Sequence, residues 1–321
     1  MPNHSSAYSH FLGCDVAKKT ITFFDSRTQK ISTVPNTRAD LKAFLKPYRA
    51  DYLAVCEPTG NYEALLLDLA DGKVPMHRAD LMKVKSFIRS YGTLGKTDAI
   101  DARALAQYGA ERWKRLALWT LPDKNKFQLR ALVRRREELI GMRTAETNRS
   151  HAPALPHQIA RGIQRMLRNL KTEIERLGRE IEKLIASSNE LSETRKVMQT
   201  LKGIGELTAT KLLALLPELG RLPRKQITAL AGLAPHPKES GQYKGYRKMR
   251  GGRKEIKRIL FLPALVAIQH EKSLKEFYQR KLGDGKTKMS IISAVMAKIV
   301  TILNARIQES LQKNQLLVQQ S

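Results

Sequence analysis

Four carboxylates in the first third of the chain have the spacing of a divalent-metal site. Asp15 and Glu57 each end an apolar, strand-like run, while Asp98 and Asp101 are three residues apart on a predicted helix and share one face. If the two runs are neighbouring parallel strands, both carboxylates project from the same edge of a sheet, where ligands of such sheets bind. Carboxylates gathered in this way cannot all stay ionised without a cation. Mg²⁺ prefers such oxygen ligands, together with water and phosphate oxygens.

The chemistry that suits this set is metal-assisted attack on a phosphodiester, with metal ions steadying the attacking and leaving oxygens. Each acid alone also has an ordinary structural explanation. Aspartate is common in turns at strand ends, and Asp98 could cap a helix after Thr97. The order of two strand-end acids followed by a helical pair favours the metal site.

A glycine-turned motif follows in the second half of the chain. Lys202, Gly203 and Gly205 precede a helix rich in small residues, which is typical of a helix-hairpin-helix. Its glycines allow close backbone approach, and helix N-terminal amides can hold a phosphate without reading sequence. A simple glycine-turned helix pair is the alternative, and the pattern alone leaves both open.

The segment 238–258 is strongly basic, with nine Lys or Arg residues and two acids. Its glycines predict a loop, and its two tyrosines lie between the charges. Lys and Arg neutralise phosphates, and tyrosines can stack on unpaired bases. Ser240 lies in this segment, but no histidine or acid pattern around it indicates a role. The candidate nucleic-acid contacts here are Lys238, Tyr243, Lys244, Tyr246, Arg247, Lys248, Arg250, Arg253 and Lys254.

Composition points to a polyanionic partner. The 321 residues include 58 Lys or Arg and 30 Asp or Glu, a net charge of +28, with an ordinary apolar fraction of 42%. Such a surplus repels itself unless nucleic acid or an anionic membrane lies against it. The apolar runs Ile259–Ile268 and Met289–Ala297 are shorter than the roughly 20 residues of a spanning helix. With no signal-peptide pattern and only two cysteines, we expect a reducing cytoplasm.

Residues 10–110 alternate between strand-like and helix-like segments, which predicts an α/β domain with a mixed sheet. Asn36 or Thr37 is the expected cap of the first helix. Cys14 and Cys56 are one residue out of phase with the acids, so we expect them on the opposite face of the sheet. The predicted strands are 11–15, 20–25, 31–34, 52–56 and 73–77, and the last two helices of the domain are 82–91 and 98–111.

The pattern is helical from about residue 123. One helix is broken at Pro153 and Pro156, and the next carries a heptad seam. The seam indicates either a helical hairpin within one chain or a coiled coil that joins two, and a projecting hairpin favours the dimer. The seam consists of Ile163, Leu167, Leu170, Ile174, Leu177, Ile181 and Leu184. The expected domains are 8–118, a coiled-coil arm at 119–196, a mostly helical domain at 197–313 and a frayed tail at 314–321.

Three short blocks resemble those of the DEDD transposases, the bacterial insertion-sequence family numbered one hundred and ten, which includes the Piv-type DNA invertases. The blocks are GCDVAK at 13–18, CEPTGNY at 56–62 and KTDAIDAR at 96–103. The trio is specific, although each block alone is weak. The resemblance extends to the C-terminal transposase domain through ALAGLAP at 229–235, ESG at 239–241 and LPA at 262–264.

The resemblance implies a RuvC-like domain of RNase H fold, with Asp15, Glu57, Asp98 and Asp101 as a catalytic tetrad that binds one or two Mg²⁺ ions. It implies that Ser240, the serine after the glutamate, is a nucleophile that becomes covalently linked to DNA. The heptad arm corresponds to the coiled-coil insertion of the family. Also implied are a structured noncoding guide RNA (a bridge RNA), dimers that assemble into a tetrameric synapse, and a bacterial cytoplasm in which the active protein associates with the nucleoid.

Two other functions fit the same residues. In a metal-only nuclease, such as a junction resolvase, water attacks the phosphate and Ser240 has no part. In a non-catalytic nucleic-acid-binding scaffold, the acids are merely structural. The target sequence is not readable in the chain, because a guide RNA would carry it.

Overall fold

The computed structural model describes residues 8–92, 97–121, 123–236, 239–240, 243–244 and 248–320. The chain separates into two compact units, 1–122 and 123–321. The first unit is α/β and the second is mainly helical.

In its described residues, the first unit contains five strands, four helices and a short 3-10 turn. The strands are β1 (His10–Val16), β2 (Thr20–Asp25), β3 (Lys30–Pro35), β4 (Tyr52–Cys56) and β5 (Met76–Arg78). The helices are α1 (Arg38–Phe44), α2 (Ala64–Ala70), α3 (Leu81–Ser90) and α4 (Asp98–Arg112), and the 3-10 turn is Trp113–Arg115.

The sheet has the strand order β3-β2-β1-β4-β5. β2 runs antiparallel to β1 and β3, whereas β4 is parallel to β1 and β5 is parallel to β4. Four of the five strands therefore end at the same edge. This mixed five-stranded α/β domain is consistent with an RNase H-like fold and confirms the mixed sheet expected from the sequence.

Both faces of the sheet are covered. Cys14 and Cys56 are buried in one apolar cluster with side chains of α1 and α2. Leu53 and Val55 lie in a different cluster with Leu105 of α4. The two cysteines therefore occupy the face opposite α4, as their phase predicts.

The structure shortens the predicted fifth strand and decides which residue caps α1. The fifth strand is only Met76–Arg78, because Lys73 and Val74 belong to the turn that closes α2. Thr37, and not Asn36, caps α1: its side chain accepts a hydrogen bond from the Asp40 amide. The Asn36 side chain instead donates hydrogen bonds to two backbone carbonyls, those of Ala17 and Tyr62.

The second unit contains eight helices and four two-residue strands among the described residues. The helices are α5 (Lys124–Ser150), α6 (His157–Ala186), α7 (Asn189–Gln199), α8 (Glu206–Leu215), α9 (Arg224–Leu230), α10 (Lys254–His270), α11 (Lys272–Gly283) and α12 (Lys288–Gln320). The strands are β6 (Pro235–His236), β7 (Glu239–Ser240), β8 (Tyr243–Lys244) and β9 (Lys248–Met249).

Helices α5 and α6 form an antiparallel hairpin within the chain. The middle of the heptad seam, from Leu170 to Ile181, is buried, and Leu170, Ile174 and Leu177 cluster with Leu139 of α5. Its outer residues Ile163 and Leu167 are only partly covered. The structure thus shows the hairpin within one chain, and joining of two chains through this arm stays a prediction.

The base of this hairpin belongs to the core of the second unit. Leu129, Val133, Ile181 and Ile185 share one cluster with the C-terminal helices. The hairpin base therefore packs in the helical unit, and the division into an arm at 119–196 and a domain at 197–313 stays a prediction. The backbone of α12 continues through Gln320, and fraying of the tail at 314–321 stays a prediction.

Among the described helices, one is long and apolar enough to cross a membrane by composition. Within residues 288–314 of α12, an 18-residue stretch has a mean hydropathy of 1.5, and half of that stretch is buried. Lys298 ends the apolar run Met289–Ala297 but not the helix, which continues through Gln320. Ile291, Val295 and Ile299 pack in the core of the second unit, so this apolar character serves helix packing.

The contact between α4 and β1 is made by backbone. A Cβ atom built on Gly13 would lie 1.8 Å from the Ala102 carbonyl oxygen and 2.7 Å from the Ala106 nitrogen. Only a residue without a side chain lets the helix approach the strand so closely. One turn along, a Cβ on Gly109 would meet side chains only, Val55 Cγ2 at 2.9 Å and Phe11 Cδ1 at 3.2 Å.

We predict that Gly13→Ala destabilises the first unit by about 1–3 kcal/mol or more, because α4 must move off β1. Gly109→Ala should cost much less, since side chains can shift and alanine favours a helix by about 1 kcal/mol over glycine. Both tryptophans, Trp113 and Trp119, lie in the first unit, so their fluorescence in urea reports its unfolding. Equal midpoints for the two variants would contradict the packing argument.

Candidate active site

Asp15 and Glu57 lie at the shared edge of the sheet. β1 and β4 are parallel with Cys14 opposite Cys56, so the next residue of each chain segment is one of the two acids. Asp15 lies two residues beyond Gly13 on the same face of β1, the face that α4 covers. Glu57 follows Val55 by two residues and is in phase with that same face.

Helix α4 brings the other two acids toward this edge. Gly109 approaches Phe11, and Ala102 and Ala106 approach Gly13, so the helix runs antiparallel to β1 and its first turn points to the Asp15 end. That first turn contains Asp98 and Asp101. Thr97 is the N-cap, accepting a hydrogen bond from the Ile100 amide, which leaves Asp98 outside the capping role considered for it.

The donor set suits Mg²⁺, but the four carboxylates do not form a closed coordination shell. Within the described residues, no three His, Cys, Asp or Glu side chains are grouped closely enough to hold a metal ion. The fold brings the segments that carry the four acids to one edge of the sheet. To bind a metal ion there, the four carboxylates must move closer together.

The loop that follows Glu57 is fixed by an ion pair between the buried Glu63 and the exposed Arg78. Glu63 is 2% exposed and accepts hydrogen bonds from Nε and Nη2 of Arg78, at 2.9 and 2.6 Å, and from the Thr59 amide at 3.1 Å. Burial alone would raise the pKa of the Glu63 carboxyl, but these hydrogen bonds outweigh it and lower that pKa. The loop contains two residues with positive φ, Gly60 and Asn61, and the ion pair stabilises this turn.

Asn36 ties together the loop that follows β1, just after Asp15, and the loop that follows β4 and begins with Glu57. Its Nδ2 donates to the Tyr62 carbonyl at 3.0 Å and to the Ala17 carbonyl at 3.3 Å. Its backbone amide donates to the Lys19 carbonyl at 2.8 Å. Because β3 ends at the same edge as β1 and β4, one side chain can reach both loops.

Sequence reasoning missed Asn36, Glu63 and Arg78. Asn36 was read only as a possible helix cap, since its contacts are to backbone carbonyls whose positions no pattern reveals. Glu63 carried a usable signal. It lies in an otherwise apolar stretch directly after the second block, and an acid in that place must be paired when it is buried.

The cysteines next to the acids are inert core thiols. Burial raises the pKa of the Cys56 thiol to about 12 and also raises that of Cys14 well above its ordinary value. Neither forms a disulfide.

The glycine-turned motif is explained by helix packing. Gly203 has a φ of +98°, and a Cβ there would lie 2.7 Å from the Pro263 carbonyl oxygen and 3.0 Å from the Ala267 nitrogen of α10. The first turn of α8 carries Glu206, whose carboxylate pairs with Arg195 at 3.3 Å. The close approach allowed by Gly203 is thus made to a helix. Lys202 and Gly205 are exposed, and phosphate contact by the motif stays a prediction.

Close backbone contacts hold the basic segment, at Gly252 and Arg253, against the end of α9 and the turn that follows it. A Cβ on Gly252 would lie 2.3 Å from the Gly232 nitrogen, and the Arg253 amide donates to the Leu230 carbonyl at 2.8 Å. The Arg253 guanidinium forms two 2.6 Å hydrogen bonds to Glu218 and one to the Leu215 carbonyl. These contacts give Arg253 a structural role, and its predicted contact with nucleic acid stays a prediction. Arg250 and Lys254 are exposed.

Ser240 lies in a short hairpin inside this segment. β7 pairs with β8 in antiparallel register, with Ser240 opposite Tyr243 and Glu239 opposite Lys244, and β6 pairs with β9 at Lys248. The described residues of the segment thus include paired two-residue strands, where a loop was expected. Lys238, Tyr246 and Arg247 lie outside the described residues.

Comparisons with known proteins agree with this domain order. Residues 12–155 match the DEDD transposase family of IS110, and residues 195–279 match the transposase family IS116/IS110/IS902. Pilin gene-inverting proteins of Moraxella bovis and Moraxella lacunata are each 28% identical over 315 residues, covering 94% of this chain and 96% of theirs. An IS110 protein of 43.6 kDa from Streptomyces coelicolor is 28% identical over 115 residues, which cover 35% of this chain and 28% of its own.

The chain belongs to the IS110 family of DEDD transposases, related to the Piv pilin gene-inverting proteins. This confirms the resemblance found in the three blocks. It makes the protein a transposase or Piv-like DNA invertase, whose family implies DNA binding and generally a divalent metal.

We predict that Asn36→Ala lowers the rate constant of strand cleavage at least about tenfold. The reason is that the loops that follow β1 and β4 lose the side chain that hydrogen-bonds to both. The affinity for DNA should stay unchanged, so the loss should appear in kcat. Thr37→Ala is the matched control: it removes a helix cap worth about 1 kcal/mol but touches neither loop. Similar losses of activity in both variants would mean that Asn36 contributes only to stability.

Proposed function

We propose that the protein is a transposase that cuts and rejoins DNA through a covalent phosphoserine on Ser240, with Asp15, Glu57, Asp98 and Asp101 as its acidic site. The observation that carries this proposal is the shared sheet edge. Asp15 is the next-to-last residue of β1 and Glu57 directly follows the parallel β4, and α4 packs directly on Gly13 with its acidic first turn toward the same end.

The four carboxylates would hold one or two Mg²⁺ ions. When bound, the ions supply positive charge against the phosphate oxygens in the transition state. The part of this chain is to present hard oxygen donors at a fixed place. Asn36 and the Glu63–Arg78 pair support that by fixing the loops behind Asp15 and Glu57.

The serine step is a phosphoryl transfer. Ser240 Oγ forms a bond to the scissile phosphorus while the bond to the 3′ oxygen breaks, which leaves a phosphoserine and a free 3′ hydroxyl. The proton lost from the serine hydroxyl is balanced by the proton that the 3′ oxygen takes up. A serine hydroxyl is a weak nucleophile at its ordinary pKa and needs activation, so the step depends on the acidic site.

A bound noncoding RNA would choose donor and target DNA, and dimers would assemble into a tetramer. The net charge of +28 suits a protein that holds RNA and two duplexes together. The partly covered outer seam of α6, at Ile163 and Leu167, suits a second copy. Sequencing the RNA that copurifies with the protein tests the guide, and chromatography with light scattering tests the assembly.

The covalent intermediate gives the decisive test of the serine. Wild-type protein should trap on nicked or mismatched DNA as a protein–DNA adduct in Mg²⁺, and Ser240→Ala should give none while still binding DNA. Asp15→Asn should abolish cleavage with binding largely intact, because it removes a metal ligand without adding repulsion.

Three outcomes separate the rival functions. Full recombination by Ser240→Ala would contradict the serine mechanism and favour a metal-only nuclease. Wild-type cleavage by Asp15→Asn would contradict the acidic site. Loss in each single variant, with recovery when the two are mixed, would mean that different subunits supply the two groups.

A further inference from the structure

The first unit carries a basic cleft away from the sheet edge. It lies between α3 and the C-terminal half of α4, and its volume is about 360 Å³. The lining includes two cations, Lys83 and Arg112, two serines, Ser86 and Ser90, and the phenol ring of Tyr108. No carboxylate is part of this lining.

The cations around the cleft are not neutralised within the protein. Over the part of the chain that the structure describes, none of them takes part in an ion pair, in contrast to the paired charges along α5, α6 and α7. Lys83 and Arg112 line the cleft, and the elements that form or adjoin it carry four further cations, Lys85, Arg89, Lys114 and Arg115. Unpaired like charges on neighbouring elements favour a polyanion.

The nearest acids are already engaged. Asp80 caps α3 by accepting hydrogen bonds from the Met82 and Lys83 amides. Glu111 accepts hydrogen bonds from the Tyr91 hydroxyl and from Gln107. Neither carboxylate forms an ion pair with a cation of the cleft among the described residues, so the cleft stays positive.

Packing holds the charges in place. The Arg112 guanidinium lies 5.6 Å from the centroid of the Phe87 ring, and Phe87 in turn packs edge-on against Tyr108 at 5.2 Å. His77 stacks on Tyr108, with its Nδ1 2.7 Å from the Ala117 carbonyl oxygen. Burial lowers the pKa of His77 and the charge of Lys83 lowers it further, which leaves Lys83 and Arg112 as the charged groups of the cleft.

The same packing decides what the cleft can recognise. Phe87 is 5% exposed and Tyr108 is 4% exposed, so neither ring is free to stack on a base. Guanidinium, ammonium and hydroxyl groups suit phosphate oxygens and carry no sequence information. The ligand class is therefore the phosphodiester backbone.

We propose that the cleft lined by Lys83, Ser86, Ser90 and Arg112 is a second DNA-binding site, which holds the backbone of duplex DNA independently of its sequence. The proposal rests on the DNA partner that the family implies and not on the serine or metal chemistry. It adds an anchoring surface in the first unit to the basic segment around Ser240 in the second.

The test compares two double variants of the full-length protein with equal charge change. Lys83→Gln/Arg112→Gln removes both positive charges that line the cleft. Lys42→Gln/Lys46→Gln removes two exposed lysines, one in the last turn of α1 and one just beyond it. Binding of a random-sequence duplex is measured over a range of NaCl in EDTA, so a failure of the proposed catalysis leaves this readout intact. The cleft variant should bind about tenfold more weakly at low salt, and its log-log salt slope should fall by nearly two units.

The control variant should change the slope far less. Because Arg112 packs on Phe87, Lys83→Gln alone serves as a second variant that leaves this packing in place, with roughly half of the slope change expected. Equal slopes for the cleft and control variants would overturn the proposal. Weaker binding of a single-stranded RNA with unchanged binding of the duplex would overturn the assignment to DNA.

Discussion

The contact on which the first unit depends is the backbone packing of α4 against β1 at Gly13. The Ala102 carbonyl occupies the place where any side chain of residue 13 would begin. This contact sets the height of the helix above the sheet and aims its first turn along β1. The positions of Asp98 and Asp101 relative to Asp15 follow from this contact. The arrangement of the acids therefore depends on residue 13 having no side chain.

Polar contacts fix the loops that follow β1 and β4 at the same sheet edge. β1, β3 and β4 end at one edge, and Asn36 joins the loops that follow β1 and β4. The Glu63–Arg78 pair holds the second of these loops from the β5 side. The second unit also combines a close glycine contact with an ion pair beside the basic segment. The backbones of Gly232 and Gly252 lie against each other, and Arg253 pairs with Glu218.

Most of this architecture is predictable from local pattern. The run Tyr52–Cys56, the phase of the two cysteines and the heptad seam each depend on neighbours a few residues away, so the sequence alone predicts them. The roles of Asn36, Gly203 and Arg253 depend on partners 26 to 64 residues distant, at Tyr62, Ala267 and Glu218 among others. Residue type indicates a phosphate contact or a cap at such positions, while tertiary packing determines the actual partner.

The central claim is that one divalent-metal site forms where β1, β4 and the start of α4 meet. Fe²⁺ can replace Mg²⁺ and, with ascorbate and peroxide, cuts the polypeptide backbone close to where it binds. The account predicts cuts near Asp15, near Glu57 and in the first turn of α4, all suppressed by excess Mg²⁺ and by Asp15→Asn. Cuts confined to other segments, or cuts insensitive to both, would contradict it.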